Sequence, residues 1–185
     1  MKSFAVLGCL VLMLTVVTSV RAQEVPQPSK PTEQHKWLQQ LVGEWETRGE
    51  MSAGPEKDPI VCEGTENIRS IGGLWTISEN KSNYMGVEVT GVMTLGYDAK
   101  AEKFVGTWVD SMFNHLWKYE GTLSDDGKKL TLMTEGPSPT EPDQMFKYRE
   151  SIEIKSPDQK VFTSAIQVED GQWVTFATIT AQRKK

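Results

Sequence analysis

Between Trp45 and Gln182 the chain is cut repeatedly into short segments rich in Val, Ile, Thr, Trp, Tyr and Phe. Each cut falls at a cluster of Gly, Pro, Asn or Asp: "SAGPEKDP", "IGG", "NKSNYMG", "YDAKAEK", "SDDGKK", "EGPSPTEPDQ", "SPDQK" and "EDGQ". Such residues supply the unusual backbone angles and side-chain to backbone hydrogen bonds that hairpin turns require. The spacing predicts about ten strands: Trp45 to Met51, Ile60 to Ser70, Leu74 to Lys81, Val87 to Tyr97, Phe104 to Ser111, His115 to Leu123, Lys129 to Glu135, Met145 to Lys155, Lys160 to Val168, and Trp173 to Gln182. Connections this short force neighbouring strands to run antiparallel.

Alternation shows which face of each strand is buried. Val87, Val89, Gly91, Met93, Leu95 and Tyr97 share one parity, against Glu88, Thr90, Val92, Thr94 and Asp98 on the other. Phe146, Tyr148, Ile152 and Ile154 do the same, leaving Lys147, Arg149 and Glu153 opposite. A long meander with one apolar face and no covering helices closes most economically into an up-and-down β-barrel, which also removes exposed strand edges. A two-sheet sandwich is the alternative, and the even hairpin spacing favours the barrel.

One short helix precedes the strands. Thr32 is placed to cap it, and "EQHKWLQQLVG" spaces Trp37, Leu38 and Leu41 on one face before Gly43 stops it. His35, among charged and amide neighbours, reads as a solvated surface histidine.

The chain's beginning has the layout of a secretory signal peptide: Lys2, an apolar run from Phe4 to Val17, and small residues ahead of a cleavage point between Ala22 and Gln23. The run is shorter than the ~20 residues a spanning helix needs. Residues 23–34, with three prolines and little to bury, read as a flexible linker. Residues 35–185 then form one domain, long enough to bury a core without staples. The expected destination is periplasmic or extracellular. Cleavage removes Cys9 and leaves Cys62 alone, so no internal disulfide can form in the mature chain. It also leaves 18 basic against 25 acidic residues, a balance that argues against nucleic acid as a partner. No membrane-spanning segment is expected in the mature chain.

A helix leading into Gly43-Glu44-Trp45 on the first strand of a meander resembles the lipocalin and fatty-acid-binding (calycin-type) barrels. More specifically, "HKWLQQLVGEW", "IGGLW" and "GVMTLGYDAKAEKFVGTWVDSM" resemble a mostly bacterial domain-of-unknown-function family, numbered 1579. The resemblance implies a barrel whose Gly43 and Trp45 plug the closed end. It implies no settled activity.

Catalytic and metal motifs are absent from the sequence. There is no His-x-His, His-Glu-x-x-His or paired Cys-x-x-Cys, no Gly-x-Ser-x-Gly, and no phosphate-cradling loop. Neither a metal nor a cofactor is implied. Strand glutamates such as Glu63, Glu66, Glu79 and Glu120 read as the wet face of a sheet. Asp110 differs, because it shares the parity of Phe104 and Trp108 and so points inward or at the rim, where a carboxylate must be paired. Arg149 is its candidate partner, and His115 is placed to face the barrel mouth.

A small barrel is either filled by side chains or left with room for one apolar ligand. The expectation is therefore a barrel binding a small, largely apolar molecule, with Asp110, His115, Arg149, Trp108 and Trp75 as candidate ligand-binding residues. The rival readings are a hydrolase or isomerase using Asp110 or His115 in the same cavity, and an interaction module without a small ligand.

Overall fold

The computed structural model describes residues 27–52, 58–138 and 144–185. The segment 1–22, read from sequence as a signal peptide, and part of the segment read as a linker lie outside the described residues. A helix, α1 (Glu33–Gln39), leads into ten strands: β1 (Gly43–Met51), β2 (Ile60–Ile71), β3 (Trp75–Tyr84), β4 (Val87–Asp98), β5 (Lys103–Asp110), β6 (Trp117–Leu123), β7 (Lys129–Pro137), β8 (Met145–Ser156), β9 (Gln159–Gln167) and β10 (Trp173–Arg183). Every strand pairs antiparallel with its sequence neighbours, and β1 pairs with β10 to close the barrel. The register runs from Trp45 opposite Arg183 to Met51 opposite Ala177.

The strands fall close to their turn-defined limits, with two local differences. His115 lies before β6, which begins at Trp117, because the segment after Asp110 turns back on that carboxylate. The helix ends at Gln39 rather than running to Gly43. A turn at Gln40 and Leu41 follows, and Gly43 instead opens β1 at a φ of 139°, where a side chain would collide with the Arg183 guanidinium.

The inner face follows from the register. It carries Trp45 and Thr47 on β1, Cys62, Glu66 and Ile68 on β2, Thr76, Ser78 and Asn80 on β3, and Gly91, Met93 and Leu95 on β4. It continues through Phe104, Trp108 and Asp110 to Trp117 and Tyr119, then Leu132, Thr134, Tyr148, Glu150, Ser164 and Phe162.

Helix α1 lies across one end, where burial is deepest. Leu38, Leu95, Phe104, Leu130 and Leu132 are almost wholly inaccessible there, and Trp45 is 2% exposed. The Trp45 indole donates to the Leu41 carbonyl at 2.9 Å, tying the first strand to the end of the helix turn. Trp37 reaches further, donating to the Gly127 carbonyl at 2.8 Å, and its ring meets Phe104 edge-on.

His35 is buried, contrary to the surface role its neighbours imply. Its ring stands edge-on against Tyr97, 5.7 Å between centroids, and its Nδ1 accepts the Thr32 backbone N–H at 3.0 Å. The helix rests on the barrel end, so even this polar position meets Tyr97, as Trp37 meets Phe104.

Toward the other end, inward-facing Thr47, Met93, Trp108, Phe162, Ile166 and Ile179 all remain partly accessible. The core beneath α1 is thus the most deeply buried part of the barrel, while these inward-facing side chains nearer the other end keep partial exposure. Among the described residues no helix is long and apolar enough to cross a membrane.

Candidate functional site

The inner wall carries two polar groupings. On one side Glu66 accepts from the Ser78 hydroxyl at 2.5 Å and pairs with Lys160, while Asn80 donates to Ser78 at 2.9 Å. Glu66 therefore faces the interior, not the wet face, because it shares parity with Cys62 and Ile68. Lys160 also lies 5.0 Å above the Trp45 ring, so the cation rests on the packed floor.

The opposite wall, formed by β6, β7 and β8, is different. Glu150 is buried, and its Oε1 accepts from the Ser164 hydroxyl at 3.2 Å. Among the described residues, three buried side-chain atoms have no protein hydrogen-bond partner: Glu150 Oε2, Trp117 Nε1 and Thr134 Oγ1; the Tyr119 hydroxyl lies close enough to Glu150 to influence its titration but makes no hydrogen bond of good geometry to it. All three residues face inward on this one wall. Thr134 stands opposite Tyr148, and Glu150 is the next inward position along β8. The Trp117 ring meets Tyr148 edge-on at 5.0 Å and lies flat over Gly136, where a methyl group would strike it. Tyr148 is thus the hub around which the indole, the hydroxyl and the carboxylate are arranged.

Burial pushes the Glu150 carboxyl up to about 7, against the opposing pull of the Tyr119 and Ser164 hydroxyls. Burial, reinforced by the Glu150 charge, also holds the Tyr119 phenol well above its ordinary range and pushes Tyr148 up to about 12. The wall is a dry polar environment in which an unpaired donor or acceptor is costly.

The residues singled out from sequence occupy several places. Asp110 is inward-facing at the rim, but its partners are local. Its Oδ2 accepts from the Trp108 indole at 2.8 Å, and its Oδ1 from the backbone N–H groups of Met112 and Phe113 at 2.7 and 2.8 Å. Both oxygens are spent on holding Trp108 and the turn after β5.

Arg149 does not reach Asp110. It shares the outward parity of Lys147 and lies 4.7 Å over the Trp173 ring on the outer face. Trp75 is also outside, laid across Gly96, where its ring leaves no room for a side chain. His115 sits at the rim with its Nε2 3.2 Å from the Glu135 carbonyl and its ring edge-on to Trp117, 5.1 Å between centroids. It therefore joins the rim to the Trp117–Tyr148 wall.

Glu150, Trp117 and Thr134 were not singled out from sequence as site residues. The signal for Glu150 was present: it has the parity of Phe146, Tyr148, Ile152 and Ile154 in a strand whose other face holds Lys147, Arg149 and Glu153. Among the described residues no three His, Cys, Asp or Glu side chains converge as a metal site requires. Cys62 faces inward with its thiol 3.9 Å from the Met51 sulfur, and burial raises its pKa.

The closed ten-strand meander with a helix across one end defines a calycin-type barrel. Residues 30–183 match the model of DUF1579, described as a protein of unknown function, and the chain belongs to that family. No curated protein matches the chain significantly. Among solved structures it is similar to the S-type phycobiliprotein lyase CPES from Guillardia theta, with a TM-score of 0.56, 15% identity, and 82% of this chain and 93% of that one covered. It is also similar to Rv2717c from M. tuberculosis, with a TM-score of 0.60, 12% identity, and 84% and 100% covered. At these identities the likeness is one of fold.

Proposed function

We propose that this protein is an exported barrel that binds a small, largely apolar molecule inside its open half. The observation that carries this reading is the inner wall above the packed floor. It is lined by partly accessible Met93, Trp108, Phe162 and Ile166, and interrupted by three buried polar atoms without protein partners. Apolar walls with a few convergent polar groups are the usual composition of a small-molecule site. The rim supports the same reading, since Met85, Val87, Met112 and Leu116 are exposed at the end away from α1 and offer an apolar approach. Export rests on the apolar run from Phe4 to Val17 and the small residues ahead of Gln23.

The interior is tested by native mass spectrometry of protein purified from its own host, followed by displacement of an environment-sensitive apolar fluorophore. A retained mass, or saturable fluorophore binding that Phe162→Trp weakens, supports the reading. A protein that arrives without added mass and binds no fluorophore overturns it. Export is tested separately, by the intact mass and cell fraction of the recovered chain, and a cytoplasmic chain that still begins at Met1 rejects it.

A further inference from the structure

We propose that the ligand carries a neutral hydroxyl or amide, held on the inner wall between the Trp117 indole N–H and the Glu150 carboxylate. This rests on the reading of the barrel as a small-molecule binder and specifies the ligand's polar end. The three unpartnered atoms differ in what they can exchange. An indole N–H only donates, a carboxylate oxygen only accepts, and the Thr134 hydroxyl does either. A ligand group that meets both the indole and the carboxylate must both accept and donate. A hydroxyl does so with one atom, and a primary amide with its oxygen and nitrogen.

Charged head groups fit less well. A carboxylate meets Trp117 but faces Glu150, and the inward-facing ammonium of Lys160 is already engaged by Glu66. An ammonium pairs with Glu150 but leaves the Trp117 N–H facing another donor. The neighbouring Arg149 lends no charge to the interior, because it points outward over Trp173. Around the polar atoms, the edge-on rings of Trp117 and Tyr148 and the partly accessible Phe146 and Ile166 provide an apolar seat for the rest of the molecule.

The test uses four probes on one ring system: naphthalene, 2-naphthol, 2-naphthoate and 2-naphthylmethylamine, titrated at about pH 8, where Glu150 has lost its proton, into the intact protein by calorimetry or tryptophan quenching. The expected result is that 2-naphthol binds about tenfold more tightly than naphthalene, as one well-placed hydrogen-bonded pair implies. Both ions are expected to bind more weakly than the naphthol. In Glu150→Met and in Trp117→Phe the ratio of naphthol to naphthalene affinity is expected to fall toward unity, whatever each variant does to naphthalene binding itself.

If naphthalene and naphthol bind equally well to the wild-type protein, or either ion binds best, the assignment of a neutral polar end is overturned while the binding barrel stands. If none of the four binds, the binding reading itself fails. The wild-type series alone decides the question should either variant fail to fold.

Discussion

The Lys160 ammonium on β9 meets the Glu66 carboxylate on β2 across the two strands that separate them, β10 and β1. Their side chains are 9% and 13% accessible, so the pair is desolvated. Removing one member leaves a buried charge without its counterpart, at a cost of about 3–5 kcal/mol. Glu66→Gln and Lys160→Met are each expected to lower the unfolding free energy read from urea denaturation by that order. The double change Glu66→Leu with Lys160→Met is expected to recover most of the loss. A double variant as unstable as the worse single one would show that the pair is not acting as a unit.

Glu150 gives the fold a pH dependence of defined sign. Its carboxyl sits at about 7 in the folded chain against an ordinary 4.5, burial being the main cause. Between those values the folded chain keeps a proton that the unfolded chain has released, so stability falls as pH rises through the interval and levels off above it. The fall attributable to this group is roughly 3 kcal/mol. Thermal unfolding of the wild-type protein and Glu150→Gln from pH 4 to 8 measures it. The difference between their midpoints is expected to shift in favour of the variant as pH rises. Parallel curves would contradict the assignment.

Gly136 and Trp117 form a fitted pair, because a methyl group on Gly136 would stand 2.1 Å from the indole ring. Gly136→Ala is expected to cost about 1–3 kcal/mol by overpacking and to tilt the ring away from Tyr148. Near-ultraviolet circular dichroism reports the tilt. An unchanged aromatic spectrum would mean that the wall yields elsewhere.

Arg183 latches the barrel seam. Its Nη1 donates to the Val42 carbonyl at 2.6 Å, its Nη2 to Gln40 at 2.9 Å and its Nε to Pro157 at 2.9 Å, with the guanidinium 4.1 Å over the Trp45 ring. A lysine keeps the charge but not the planar fork. Arg183→Lys is therefore expected to lose about 1–3 kcal/mol, seen as a lower denaturation midpoint with hydrogen exchange accelerating first along β1. Uniform acceleration over all strands would argue against a local latch.

The strands were legible because their turns are chemically distinctive and their alternation is regular. The site was less so, for reasons that particular residues show. Arg149 and Glu150 are adjacent, and a strand sends them to opposite faces. The sequence drew attention to the arginine, while the inward position belongs to the glutamate. Glu66 has the composition of a wet-face residue, and only the reach of Lys160 from a distant strand explains its burial. Asp110 does face inward, but the nearby Met112 and Phe113 N–H groups engage it, and no spacing rule distinguishes that turn from a binding contact. His35 is polar in a polar-looking helix, and its burial depends on where the helix rests.

The contact between Trp45 and Arg183 joins positions 138 residues apart. Until that pairing forms, the sheet has two free edges and the floor lacks the guanidinium that holds Trp45 in place. Hairpins along the meander can zip locally, but closure must wait for the most distant pair of strands, the kind of non-local step that slows β-rich chains. The rate-limiting event in folding is thus expected to be the joining of the sheet's first and last edges, with the tryptophan floor setting only when the ring is complete.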